Sequence, residues 1–132
     1  MNRDPSGPSR VVAIRGAIDV PADSAAEVHA AVTDLVGQIV ERNDLRPSDI
    51  ISAQFTATPD VTSAFPAKAA RDAGWTAVPM LCTLEIDVPG ALPRCIRLML
   101  HANLPSNREV EHVYLRGAMA LRPDLGKLSG DE

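Results

Sequence analysis

Apolar positions along this 132-residue chain change their period several times, and each change marks an element. Val11-Val12-Ala13-Ile14-Arg15-Gly16-Ala17-Ile18 is a nearly continuous apolar run, the pattern of a strand covered on both faces, with Arg15 at the strand end before Gly16. Ser24-Ala25-Ala26-Glu27 has the spacing of a capping box, and Val28, Val32, Leu35 and Ile39 then recur every three or four residues. That periodicity predicts a long amphipathic helix over 24–42. Asn43 to Pro47 carry stop signals, Pro47-Ser48-Asp49 a turn, and Ile50 to Ala57 a second strand. Pro66 suits the first position of a short helix that runs through Ala73 and ends at Gly74.

Thr76 to Val88 reads as extended, interrupted at Pro79, and residues 88–93 as a turn. Cys95-Ile96-Arg97-Leu98-Met99-Leu100 is the most apolar segment and predicts a central strand. After a turn at Pro105-Ser106-Asn107, Glu109 to Leu115 fits both a strand and a helix, and Arg116 to Leu121 one helical turn. Strand, long helix, strand, short helix and three short strands predict an α/β, α+β-like fold: a mixed sheet packed with one long and one or two short helices. The length suits one domain, placed at 10–125, between a Pro/Gly/Ser-rich leader at 1–9 expected to be disordered and a flexible tail at 126–132.

Composition removes several functional classes. No stretch reaches the ~18–20 apolar residues of a membrane span, and residues 1–9 hold no apolar signal core, so a cytoplasmic location is expected. A net charge of -4 and four aromatics (Phe55, Phe65, Trp75, Tyr114) give neither a phosphate-binding footprint nor a base-stacking platform, so nucleic acid is not expected as a partner. Cys82 and Cys95 lie in apolar runs, as in a reduced compartment. His29, His101 and His112 are far apart without metal-ligand spacing, so no metal is expected.

The candidate chemistry lies in the charged residues that break apolar segments. Eleven of the thirteen cations are Arg, a bias that codon usage alone could produce. Arg97 is the most anomalous: strand alternation places it on one face with Cys95 and Met99, so its guanidinium either reaches solvent or points into a site holding an anion. Glu85, between Leu84 and Ile86, poses the same question, and an exposed edge answers it equally well. Arg15 fits a surface position at a strand end. Nucleophile elbows, phosphate loops and dinucleotide fingerprints are missing from the sequence. Arg, Glu and Tyr suit an enzyme that stabilises developing charge without a covalent intermediate.

These residues carry a family resemblance. Ile14-Arg15-Gly16-Ala17, Ala57-Thr58-Pro59-Asp60, Phe65-Pro66-Ala67-Lys68-Ala69-Ala70-Arg71, Val78-Pro79-Met80-Leu81-Cys82, Glu85-Ile86-Asp87-Val88-Pro89-Gly90, Arg94-Cys95-Ile96-Arg97, and His112-Val113-Tyr114-Leu115 with Leu121-Arg122-Pro123-Asp124-Leu125 occur in order. Over about 11–125 the chain resembles the monofunctional chorismate mutases of the Bacillus type. The resemblance implies a cofactor-free isomerase that converts chorismate to prephenate, built as a trimeric pseudo-barrel with sites between neighbouring chains. It implies Arg97 and Glu85 as catalytic groups, with Arg15 and Tyr114 binding substrate. Phe65, Ala67, Lys68, Arg71, Met80, Leu81, Cys82, Leu121 and Arg122 would form the pocket wall and rim. Leu81 departs from the pattern, which favours Thr, so a hydroxyl contact there is lost while a backbone contact survives. Two other classes share the features: a small-metabolite-binding or imine-deaminating trimer of similar fold, and a non-catalytic regulatory domain. Paired Glu85 and Arg97 distinguish the first, because a carboxylate binder does not need both.

Overall fold

The computed structural model describes residues 7–122; the rest of the expected leader and tail, and Pro123-Asp124-Leu125, lie outside the described residues. A five-stranded mixed sheet carries the molecule, in the order β3-β2-β4-β1-β5, with β1 at Ser9–Asp19, β2 at Ile50–Ala57, β3 at Met80–Leu84, β4 at Cys95–Pro105 and β5 at Val113–Tyr114. β4 runs antiparallel to both neighbours, β1 and β2; β5 joins β1 in parallel and β3 joins β2 in parallel. Two α-helices accompany the sheet, α1 at Ala25–Arg42 and α2 at Pro66–Asp72, together with 3-10 turns at Pro47–Asp49 and Arg116–Leu121.

The helix α1 forms as its pattern dictates. Val28, Ala31, Val32, Leu35, Val36 and Ile39 are buried along one face, and each large side chain among them contributes roughly 1.5–3 kcal/mol by leaving water. Only half of the capping box exists: Ser24 Oγ accepts from the Glu27 N–H at 3.1 Å, while the Ser24 N–H donates to the Ala22 carbonyl at 3.0 Å. The helix ends in a Schellman pattern. Asp44, at φ +49°, takes the left-handed position, its N–H donates to Glu41 O, and the Leu45 N–H donates to Val40 O.

Across from α1, alternation sorts β4 cleanly. Ile96, Leu98, Leu100, Ala102 and Leu104 are buried in the core, with Ile14, Ile18 and Phe55 from the neighbouring strands. Arg97, Met99, His101 and Asn103 point to the opposite face, which α1 does not cover. α2 buries Pro66, Ala67, Ala69 and Ala70, small residues that let it lie close to α1, and Trp75 caps this end at 1% exposure.

The structure corrects several expectations. Ser9 is already in β1 and the Pro8 carbonyl accepts the Ser106 N–H, so order begins before residue 10 and inside the expected leader. Arg15 sits in the middle of β1, which continues to Asp19, because Ala17 and Ile18 pair on with Arg97 and Ile96. The first half of β1 is covered on one face only: Val12 and Ile14 are buried, whereas Val11 is 59% exposed. β4 extends to Pro105 instead of stopping at Leu100, since the long β1 supplies a partner for every residue. Of the extended stretch expected over 76–88, only Met80–Leu84 forms a strand, the part that lies beside β2, with one further ladder bond at each end, accepted by Pro79 O and donated by the Glu85 N–H.

Candidate active site

Register brings the polar residues together. Thr56 on β2 faces Arg97 on β4, Arg97 faces Ala17 on β1, and Ala17 faces Tyr114 on β5. Thr83 on β3 lies beside Thr56 and completes one row across all five strands. With strands about 4.8 Å apart, Thr56 and Tyr114 stand roughly 14 Å from each other. One step along, Arg15 faces Met99, which faces Gln54. Both rows place these side chains on the face that α1 leaves uncovered. A cleft of about 260 Å³ opens there, lined by Arg15, Gly16, Gln54, Thr56, Glu85, Arg97, Leu98, Met99 and Tyr114.

Each functional side chain has a local reason for its place. The Glu85 N–H donates to Ala57 O at 2.9 Å, which carries the ladder one residue past β3 and turns the carboxylate toward β4. Thr56 Oγ1 donates to Glu85 Oε1 at 2.5 Å, and Arg97 Nε stands 3.8 Å from that oxygen. The pair is partly solvated, with side-chain exposures of 40% for Arg97 and 25% for Glu85, so it contributes little to stability. Tyr114 packs with Ala17 and Ala118, and Leu121 lies against this small cluster beside the cleft. The turn that starts the last 3-10 helix depends on Gly117, whose N–H donates to Asp19 Oδ1; a Cβ there would lie 2.7 Å from Asp19 Oδ2. Cys95 precedes Arg97 on the same side of β4; burial pushes its thiol up, against the pull of the Arg97 charge.

The other expected site residues lie elsewhere. Phe65, 72% exposed, and Cys82 line a second cleft of about 370 Å³ where the start of α2 meets β3. Ala67 is buried against the core, and Met80 packs on its margin, as Cys82 does. Leu81 is 67% exposed. Lys68 donates to Asp72 Oδ2 at 3.2 Å, a carboxylate that His29 Nε2 also contacts at 3.2 Å, and Arg71 is exposed on the same helix. Arg122 is near the Tyr114 side, since its charge acts on His112. Within one chain the structure therefore gathers Arg15, Glu85, Arg97 and Tyr114, flanked by Leu121 and Arg122, and leaves Phe65, Ala67, Lys68, Arg71, Met80, Leu81 and Cys82 outside that cleft.

Sequence reasoning missed Gln54, Thr56, Met99 and Gly16 as cleft residues. The first three share the open face by strand parity, a signal that becomes specific only when the pairing of β2 with β4 is known. Gly16 has a packing reason: a Cβ would lie 3.0 Å from Ile39 Cδ1, 3.1 Å from Leu35 Cδ1 and 3.1 Å from the Val113 carbonyl.

Fold and cleft set two guanidiniums, a carboxylate and a phenol above one sheet face, a set of groups suited to act on a ligand through fixed charges. Residues 11–125 match the family model for chorismate mutase type I. The chain is 39% identical over 122 residues to chorismate mutase AroH of Bacillus subtilis (strain 168), covering 90% of this chain and 95% of that one. It is 46% identical over 115 residues to chorismate mutase AroH of Thermus thermophilus, covering 85% and 93%. Among solved structures, a chorismate mutase from Clostridium thermocellum superposes with a TM-score of 0.78 at 45% identity, covering 83% of this chain and 98% of that one. The chain belongs to the type I chorismate mutase family and is an enzyme of the isomerase kind.

Proposed function

We propose that the cleft binds chorismate and catalyses its intramolecular [3,3] rearrangement to prephenate, in the route to aromatic amino acids, by preorganisation and charge stabilisation without a covalent intermediate. The observation that carries this reading is the convergence of Arg97 and Glu85 with Arg15 and Tyr114 in one cleft of a chain from this family. Chorismate is a dicarboxylate with a ring hydroxyl and an enolpyruvyl ether. C–O cleavage runs ahead of C–C formation, so negative charge builds on the ether oxygen. A fixed guanidinium interacts more strongly with that charge than with the ground-state ether, and so accelerates the chemical step. Arg97 takes this role, with Glu85 on its Nε side accepting the ring hydroxyl.

Arg15 and Tyr114 hold the enolpyruvyl carboxylate and fold the flexible arm over the ring, which removes rotational freedom before the reaction. No proton moves in the rearrangement, so the site needs no general base. Two cations against one carboxylate also give the cleft a local positive field despite the chain's net charge of -4.

The working unit in this proposal is a homotrimer with a site between each pair of chains. A cleft of about 260 Å³ falls just short of the ~300–1,000 Å³ usual for small-molecule sites. Its uncovered face carries Val11, Leu81 and Met99, and the rim of the second cleft and the loop after β3 carry Phe65, Leu84, Ile86 and Val88, all apolar and exposed. A neighbouring chain bringing Phe65, Ala67, Lys68, Arg71, Met80, Leu81 and Cys82 to the open cleft would cover this surface and complete the wall; Leu81 would contribute its backbone. No helix of the described residues is long and apolar enough to cross a membrane. Free Cys82 and Cys95 fit a reducing compartment, and we assign the enzyme to the cytoplasm.

The deciding experiment follows loss of chorismate absorbance with purified chain and identifies prephenate as product. Turnover that needs no added cofactor supports the reading; binding of chorismate without turnover refutes it.

A further inference from the structure

β5 is two residues long, yet it carries Tyr114 into the cleft. Its own ladder is too short to fix it, and the segment before it is held by side chains. Asn43, the fully buried C-cap of α1, donates from Nδ2 to Ile39 O at 3.0 Å and to Glu111 O at 3.0 Å, and its Oδ1 accepts the Glu111 N–H at 2.8 Å. The next residue, His112, then accepts the Arg15 N–H at Nδ1, at 3.0 Å. After it, Val113 and Tyr114 pair with Gly16 and Ala17, and the Leu115 N–H donates to Ala17 O at 2.9 Å. The imidazole thus takes the place of a ladder carbonyl at the position where β1 turns Arg15 into the cleft.

We propose that His112 is a positioning residue for the reaction: neutral, its Nδ1 accepts the Arg15 N–H and fixes Arg15 against Tyr114, and protonation of that nitrogen releases the bond. The inference rests on the reading of Arg15 and Tyr114 as the groups that hold the substrate carboxylate. An acceptor at Nδ1 requires the lone pair, so the neutral ring carries its proton on Nε2. Burial lowers the His112 pKa below its ordinary 6.5, and the Arg15 and Arg122 charges lower it further, which keeps the ring neutral at physiological pH. The charged groups bearing on it are Arg15 from β1, Arg122 after the last 3-10 helix and its own neighbour Glu111, while α1 presents the neutral Asn43 amide to this segment.

The test uses the full chain and two variants, His112→Leu and His112→Asn, assayed for chorismate turnover from about pH 5 to 8. Asn places an acceptor oxygen near the Nδ1 position and does not titrate; Leu keeps bulk and offers no acceptor. His112→Leu is expected to lose on the order of tenfold in kcat/KM, mainly through KM, the size set by one unpaired N–H. His112→Asn is expected within about threefold of wild type at neutral pH, without the fall in kcat/KM that wild type shows on the acid side, where the lowered His112 pKa is reached. Hydrogen exchange of the Arg15 amide supplies an independent readout: protected in wild type at neutral pH and in His112→Asn, faster in His112→Leu and in acidified wild type. Wild-type kcat/KM and pH profile in His112→Leu would overturn the proposal. So would Arg15 protection in wild type that does not change with pH. If His112→Leu fails to fold, the comparison of wild type with His112→Asn decides. A wild-type chain with no chorismate turnover at all would sink the functional reading instead, while the Arg15 exchange profile still reports on the His112 bond.

Discussion

Replacing Arg97 by Lys keeps the charge and removes the fork. In the structure Nε faces Glu85 at 3.8 Å, so the two terminal nitrogens are what remain for the ether oxygen. A lysine ammonium is a single point of charge on a differently shaped stem; drawn to Glu85, it cannot also present a donor at the reacting oxygen. The loss should resemble removal of one oxyanion donor, about 2.7–4 kcal/mol of transition-state stabilisation, or 100- to 1,000-fold in kcat. Because that interaction exists mainly in the transition state, kcat and kcat/KM should fall together. The assay is steady-state loss of chorismate, with thermal unfolding as control. Arg97 is partly exposed on an uncovered sheet face, so folding stability should change by no more than roughly 0.5 kcal/mol. A stable Arg97→Lys enzyme with kcat within threefold of wild type would refute the placement of Arg97 at the ether oxygen.

Gly16→Ala should destabilise the chain by about 1–3 kcal/mol and lower activity, because the Val113 carbonyl that would meet the new methyl at 3.1 Å is backbone and cannot rotate away; denaturant unfolding measures the change. Asp23 is held at about 2 by hydrogen bonds from Ser63 and Thr62, so its contribution is present above its unfolded value of 3.8 and is lost as pH falls through about 2. Asp23→Asn should therefore show a smaller fall in unfolding midpoint between about pH 4.5 and 2.5 than wild type. Arg97→Ala and Phe65→Ala chains, each inactive alone, should recover about a quarter of wild-type sites when refolded together in equal amounts if sites lie between chains; no recovery in mixed trimers would place both residues in one chain's site.

The periodic parts of the chain were legible from sequence because their stability is local or follows one face. The helix α1, the proline start of α2 and the apolar cores of β2 and β4 each announce themselves through spacing that burial must satisfy. Arg97 stood out for a related reason, since charge inside an apolar segment demands a partner; Glu85 fitted an exposed edge equally well, and the structure sets its carboxylate 3.8 Å from Arg97 Nε. Their partnership with Arg15 and Tyr114 is not readable from spacing, and only the family resemblance pointed to it. It depends on register: Ala17 must lie between Arg97 and Tyr114, and Thr56 on the other side of Arg97, relations between residues roughly forty to one hundred positions apart that no local pattern encodes. β5 shows the limit most clearly. Two residues cannot declare a strand by alternation, and this one exists because Asn43 and His112 hold the chain beside β1. The sequence determined which residues prefer helix, strand and core; the tertiary structure decided which faces stay open and which distant side chains share them, because strand pairing is fixed by contacts made only when the whole sheet forms.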